Sequence, residues 1–203
     1  MRFHNKIRDY LRVCSFGLFA GILARATDFV PYDSLWNIHT FTALYGVWII
    51  CAAILIWRST SHLASGLNVL LFFLFTTVAY FGSEFLIGIF FPQLGYSGFE
   101  TKAFIHYAIT SAVCGVAAFI LYSWSHGNWY SAIALAIPIG LLTAETIIVL
   151  KQLQNNHTNL FQVILNAGFC LYLGIQFRKQ TKFKELYTVS VIAITGLVYK
   201  FVF

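Results

Sequence analysis

The sequence predicts an all-α integral membrane protein, a bundle of about seven transmembrane helices with the N-terminus inside and the C-terminus outside. Three observations carry that expectation. Of 203 residues, 59% are hydrophobic and only 10% are charged, against about 25% charged in a soluble domain. Apolar stretches approaching the ~20 residues needed to cross a hydrocarbon core of roughly 30 Å recur along the whole chain. The basic residues, finally, fall mostly in the short segments between those stretches.

The first predicted span, 11–26, follows the basic run Arg2, Lys6, Arg8 and Arg12. Gly17 and Gly21 form a GxxxG pair there, and Arg25 continues the same spacing. Small residues at that period let helices approach closely, so Arg25 belongs to the packed face. Asp28, three residues on, is within reach for an i,i+3 ion pair. Pro31 ends any helix, and Asp33 or Ser34 is positioned to cap the second span, 36–57. His39 lies just inside that span, and Trp36 and Trp57 bracket it as interfacial aromatics.

The third span, 63–91, is longer than a straight crossing requires, which predicts a tilt or a kink, with Gly82 and Gly88 as the loosening points. Glu84 sits between them, roughly 10 Å from the outer end. The fourth span, 102–124, carries His106 near its start. The fifth, 129–150, carries Glu145 beyond Pro138 and Gly140, a second point of expected distortion. Trp124 and Trp129 flank the short turn between these two as further interfacial anchors. The sixth, 160–177, carries Asn166, and the seventh is 186–203. No composition shift, linker or low-complexity stretch divides the chain, so residues 1–203 read as one polytopic membrane domain.

Orientation follows from the loops. Arg2, Lys6, Arg8, Arg12, Arg58, Arg178, Lys179, Lys182 and Lys184 fall on one side, and only Arg25, Lys102, Lys151 and Lys200 on the other. The richer side is cytoplasmic by the positive-inside rule. The same rule accounts for the net charge of +6 without any nucleic-acid partner. Four cysteines, Cys14, Cys51, Cys114 and Cys170, stand one to a span with no CxxC spacing, which gives neither a disulfide framework nor a zinc site.

With that orientation, the strongly polar intramembrane groups gather in the outer half. Arg25, Asp28, His39, Glu84, His106, Glu145 and Asn166 are the candidate ligand-binding residues, because charges inside a membrane face the bundle interior or water and are functional by default. Arg25, Glu84, His106 and Glu145 are expected to line one shared outer cavity or network. If Arg25 is held by Asp28, at least one of Glu84 and Glu145 is expected to be protonated near neutral pH or bound to a cationic ligand, Glu84 as the deeper of the two. No HExxH, HxxxH, GxSxG or phosphate-cradling glycine loop occurs, so no catalytic or metal-binding residue and no cofactor is assigned. The expected partners are the lipid bilayer, a small-molecule or ion ligand, and either further copies of the chain or other membrane subunits. The expected location is a plasma membrane of the bacterial kind. Binding or transport of a small molecule or ion leads. An accessory, sensor or immunity protein with a structural polar cluster is the first alternative. An outer-leaflet enzyme using Glu84, His106 and Glu145 is the second.

Overall fold

A computed structural model describes residue 3 and residues 6–30, 35–91, 93 and 99–201, apart from the side chains of residues 125 and 126. The described residues form seven α-helices and no β-strand beyond a single bridge between Phe3 and Ser59. The helices are α1 (Ile7–Thr27), α2 (Gly46–Arg58), α3 (His62–Phe90), α4 (Thr101–Leu121), α5 (Trp129–Asn156), α6 (Leu160–Gln180) and α7 (Lys184–Phe201). Helices α3, α5 and α6, and α4 with its 3-10 extension to Trp124, are long and apolar enough to cross a membrane, and the four fit a membrane location. Helix α1 carries Arg8, Asp9, Arg12 and Arg25, and α7 carries Lys184, Glu185 and Lys200; neither reaches that measure. Many large apolar side chains stay exposed, among them Phe19, Val113, Leu171 and Ile192, as hydrocarbon contact requires and water does not favour.

The chain divides into two compact units, Met1–Phe29 with Leu55–Ile120, and Val30–Ile54 with Leu121–Phe203. In the first, α1 packs along α3 by the small-residue row the sequence indicates. A Cβ on Gly17 would lie 2.5 Å from the Phe72 carbonyl oxygen, and one on Gly21 would lie 2.7 Å from Ala79 Cβ. The Thr76 hydroxyl donates across this seam to the Gly17 carbonyl (3.1 Å). Positions 17 and 21 of α1 thus meet 72 and 76 of α3, so the two helices run parallel. Helix α4 runs antiparallel to α3, with Ser65 donating to the Ala118 carbonyl (2.9 Å) and Phe81 packed on Phe104. At the other end of α1, Phe3 exchanges backbone hydrogen bonds with Arg58 and Thr60. That ties the chain start to the turn between α2 and α3.

In the second unit, α5 is the central element. Helix α6 lies antiparallel to it, joined by Thr143 and Cys170 (3.0 Å). Helix α7 lies parallel to it, with Thr195 donating to the Gly140 carbonyl (3.2 Å) and Lys151 bonded to Tyr199. Gly140 is needed at this seam, because a Cβ there would meet Ile194 at 2.6 Å.

Three expectations change here. The second helix starts at Gly46 rather than at 36, so it has 13 residues and is about 20 Å long. Before it, Asn37 is left-handed (φ 41°) and His39 falls in a 3-10 turn, Ile38–Thr40. Such irregular backbone is tolerated at membrane depth where protein satisfies its polar groups. Here Asn37 Nδ2 donates to Asn159 Oδ1 (2.7 Å), Leu160 N–H to the Leu35 carbonyl (3.0 Å) and Trp48 Nε1 to the Thr42 carbonyl (2.8 Å). Second, the break in helical structure falls in the segment before α2, while α3 and α5 stay helical through Gly82, Gly88 and Pro138. Third, Trp124 is no interfacial anchor, since it is buried against the fully buried Phe177. Asp33, Ser34 and Pro31, expected to shape the turn before the second helix, lie outside the described residues.

Candidate functional site

Each unit holds a polar cluster among its apolar helices. In the first unit the α1 row of Gly17, Gly21 and Arg25 faces the α3 row of Phe72, Thr76, Tyr80 and Glu84, both stepping by about four residues, one helical turn. Where the glycines end, the seam has room for longer side chains, and the register that sets Gly21 on Thr76 delivers Arg25 to Tyr80 and Glu84. Arg25 Nη1 donates to Asp28 Oδ2 (3.0 Å) and to Tyr80 Oη (3.2 Å), and its Nη2 lies 3.6 Å from Glu84 Oε1. The Tyr80 hydroxyl donates in turn to Asp28 Oδ2 (2.8 Å), and the guanidinium carbon stands 5.2 Å from the Tyr80 ring centre.

The Arg25–Asp28 pair expected from spacing is present, and it is one edge of a larger clasp. The expectation that Asp28 would exhaust Arg25 fails, because a guanidinium has five donors in a planar fork and serves both carboxylates. With the arginine side chain 7% exposed and Glu84 13% exposed, this cluster is poorly hydrated and its groups hold one another. His106 stands apart from the clasp, exposed on α4 with its ring edge-on to Tyr107.

The second unit brings together Glu145, Asn166 and Gln162. Gly46 opens α2 directly over them, and no larger residue fits, since a Cβ there would lie 2.6 Å from both Glu145 Oε2 and Asn166 Nδ2. The backbone N–H groups of Tyr45 and Gly46 point at the Glu145 carboxylate. A negative charge at a helix N-terminus complements the unsatisfied amides and the dipole. On the α6 side, Asn166 Nδ2 donates to Glu145 Oε2 (3.3 Å) and Gln162 Nε2 donates to Asn166 Oδ1 (2.9 Å). All three side chains are at most 2% exposed. Glu145 Oε1 and Gln162 Oε1 are buried with no partner of ordinary hydrogen-bond geometry among the described residues, and Glu145 forms no ion pair there.

At the same end of this unit, Asn159 Oδ1 accepts from Asn37 and from Thr40 (both 2.7 Å), and its Nδ2 donates to Gln152 Oε1 (3.0 Å). His39 is half-buried in the 3-10 turn of that segment. The start of α2, the last turns of α5 and the first turns of α6 therefore share one polar end.

The seven expected residues thus distribute as two sets. Arg25, Asp28 and Glu84 form the clasp, Glu145 and Asn166 form the amide cluster, His39 lies in the 3-10 turn before α2, and His106 is exposed on α4. Sequence reasoning missed Tyr80, Gln162 and Gly46. The first two were open to detection, since Tyr80 precedes Glu84 by four residues and Gln162 precedes Asn166 by four, the spacing at which helical side chains meet. Gly46 carried no such signal. Comparison with protein-family models, with characterised proteins and with solved structures returns no match.

Proposed function

We propose that the chain is a seven-span membrane protein, N-terminus inside and C-terminus outside, that binds a small polar molecule or ion at the Glu145 cluster on its outer side. In this reading it transports or captures that ligand in a plasma membrane of the bacterial kind, as a homo-oligomer or with other membrane subunits. The observation that carries the reading is the state of Glu145: a carboxylate 2% exposed, held by neutral amides and a helix N-terminus, with an open acceptor oxygen beside it. A buried carboxylate without a cation is costly. Evolution retains such groups in membranes chiefly where they handle ligands or charge. The segment before α2 adds support, because interrupted helices at membrane depth are where transporters place their sites.

The span count is supported by helix direction. Helices α1 and α3 run parallel, as do α5 and α7, so the chain returns across the layer between the members of each pair. Only helix α2 and the polar segment before it are available for the first return.

The test is thermal stabilisation of the protein in lipid nanodiscs by a panel of sodium, potassium, choline and amino acids. A ligand at 100 times its Kd stabilises by about 2.7 kcal/mol. One member is expected to stabilise the native chain and to lose that effect in Glu145→Gln. A panel without effect, or an effect that survives Glu145→Gln, removes the reading. An accessory or sensor role with a structural polar cluster would then stand, favoured by the Arg25 clasp, whose charges satisfy one another without a ligand. The enzyme reading finds no support in His106, which is exposed and outside both clusters.

A further inference from the structure

We propose that Glu145 is a reversible proton-binding site, and that its protonation reverses the hydrogen-bond direction of Asn166 and Gln162. The argument starts from donor and acceptor counts. An ionised carboxylate only accepts, so Asn166 turns its Nδ2 to Glu145 Oε2 (3.3 Å) and is left presenting Oδ1 to Gln162. Gln162 answers with Nε2 (2.9 Å), which leaves its Oε1 as the open, buried acceptor at the end of the chain. Every step is forced by the one before.

A proton added to Oε2 converts that oxygen into a donor. Asn166 then presents Oδ1 to Glu145 and Nδ2 to Gln162, and Gln162 accepts through Oε1 and exposes Nε2 at the far end. The two amides are nearly isosteric under this flip, so it needs rotation of two side chains and no backbone movement. One proton, added with no other bond made or broken, turns the terminal group of the chain from an acceptor into a donor. It also removes the negative charge from beneath the N-terminus of α2.

The surroundings favour a proton over a metal cation. From α2 the carboxylate meets the amides of Tyr45 and Gly46, the positive end of a helix dipole, which repels a bare cation but tolerates a neutral acid. From α6 it meets Asn166, behind which Gln162 stands bonded to Asn166. The thiol of Cys170 on that helix is engaged by Thr143 on α5. Of the other charged and titratable groups on the packed elements, His157 caps the C-terminal end of α5, Arg58 closes α2, Tyr130 lies in the first turn of α5, Tyr172 is exposed on α6, and Lys184 and Glu185 open α7. Lys151 is bonded to Tyr199 of α7, Tyr187 donates to the Gly174 carbonyl, Lys200 lies over the Phe201 ring, and Arg178 and Lys179 stand at the opposite end of α6. His39, in the turn before α2, and Cys51, within it, carry no carboxyl group and give no carboxylic-acid band.

This inference rests on reading the Glu145 cluster as functional, but its test needs no small ligand, so the two can fail separately. The full chain in nanodiscs is examined by pH-difference infrared spectroscopy. On acidification, a carboxylic-acid C=O band that shifts in heavy water is expected, together with a change in side-chain amide bands. Glu145→Gln is expected to abolish both signals, and Glu84→Gln to leave both. Gln162→Leu, which keeps the acid but removes the end of the chain, is expected to shrink the amide change to the contribution of Asn166 and move the band's titration midpoint by roughly one pH unit, the scale of one hydrogen bond. A band that persists in Glu145→Gln, or a Gln162→Leu midpoint and amide pattern identical to the native chain, overturns the proposal. Sodium at constant pH producing the same difference spectrum overturns it as well, in favour of a cation site.

Discussion

Alanine in place of Gly21 is expected to destabilise the first unit, while the same substitution at Gly196 is expected to stabilise the second. Both glycines sit inside helices, where replacing glycine by alanine gains about 0.5–1 kcal/mol from backbone entropy. At Gly196 a new Cβ meets nothing within 4 Å, so that gain stands. At Gly21 the Cβ would lie 2.7 Å from Ala79 Cβ and 3.0 Å from the Tyr80 backbone nitrogen. Those atoms belong to α3 itself and move only if the helices separate. Overpacking of this kind costs about 1–3 kcal/mol, and separation also lengthens the Thr76–Gly17 hydrogen bond across the seam, a further ~1 kcal/mol. The net expectation is a loss of roughly 1–3 kcal/mol. At 2–4 °C per kcal/mol for a chain of this size, Tm falls by about 3–10 °C. Thermal unfolding followed by circular dichroism in one detergent reads both variants against the native chain. A Gly21→Ala protein that melts at or above the native temperature would refute the close α1–α3 seam, and with it the register that brings Arg25 to Glu84.

The remaining expectations concern the two polar clusters and the topology. Arg25→Leu leaves Asp28 and Glu84 without their cation and should cost about 3–5 kcal/mol; the double variant with Glu84→Leu should recover part of that, as a double-mutant cycle in chemical denaturation measures. Gly46→Ala should displace the Asn166 and Glu145 side chains and lower Tm. Its effect should shrink in an Asn166→Ala background, where the clash is relieved, and fully additive losses would count against the placement of Gly46. Gln180→Cys, in a background without the native cysteines, should react with a membrane-impermeant maleimide only after the membrane is opened; labelling of intact cells would reverse the orientation.

The helices were largely legible because their signal is long and redundant. Expected spans 63–91 and 129–150 meet observed helices His62–Phe90 and Trp129–Asn156, since 20 or more apolar residues leave few alternatives in a membrane. The second span was misread for the same reason. Residues 36–45 are apolar enough to extend the pattern of α2, and hydropathy does not register that Asn37 adopts a left-handed conformation to reach Asn159, 122 positions away. A side chain bonded that far along the sequence leaves no local trace.

The candidate residues show the same division between depth and direction. Position along a helix is linear in sequence, so the placing of Arg25 and Glu84 near helix ends needed only a rise of 1.5 Å per residue, whereas Glu145, expected five residues from the end of its span, lies eleven from the end of α5 because that helix runs on to Asn156. Which of them meet depends on rotation about each helix axis, and that is fixed by small residues on partner helices. The GxxxG row of α1 fixed it legibly for Arg25, because its period carried through to the arginine. For Glu145 the fixing residue is Gly46, a single glycine at the start of a short helix, whose importance lies in the two side chains that fill the space a Cβ would take. The consequence is chemical. Glu84 and Glu145 look alike in sequence, each an acid in an apolar run, yet one is held by a guanidinium and the other by the Asn166 amide and the backbone N–H groups of Tyr45 and Gly46. A carboxylate bound to arginine faces a partner that can only donate, whereas one bound to a side-chain amide faces a partner that presents a donor or an acceptor according to how it is turned.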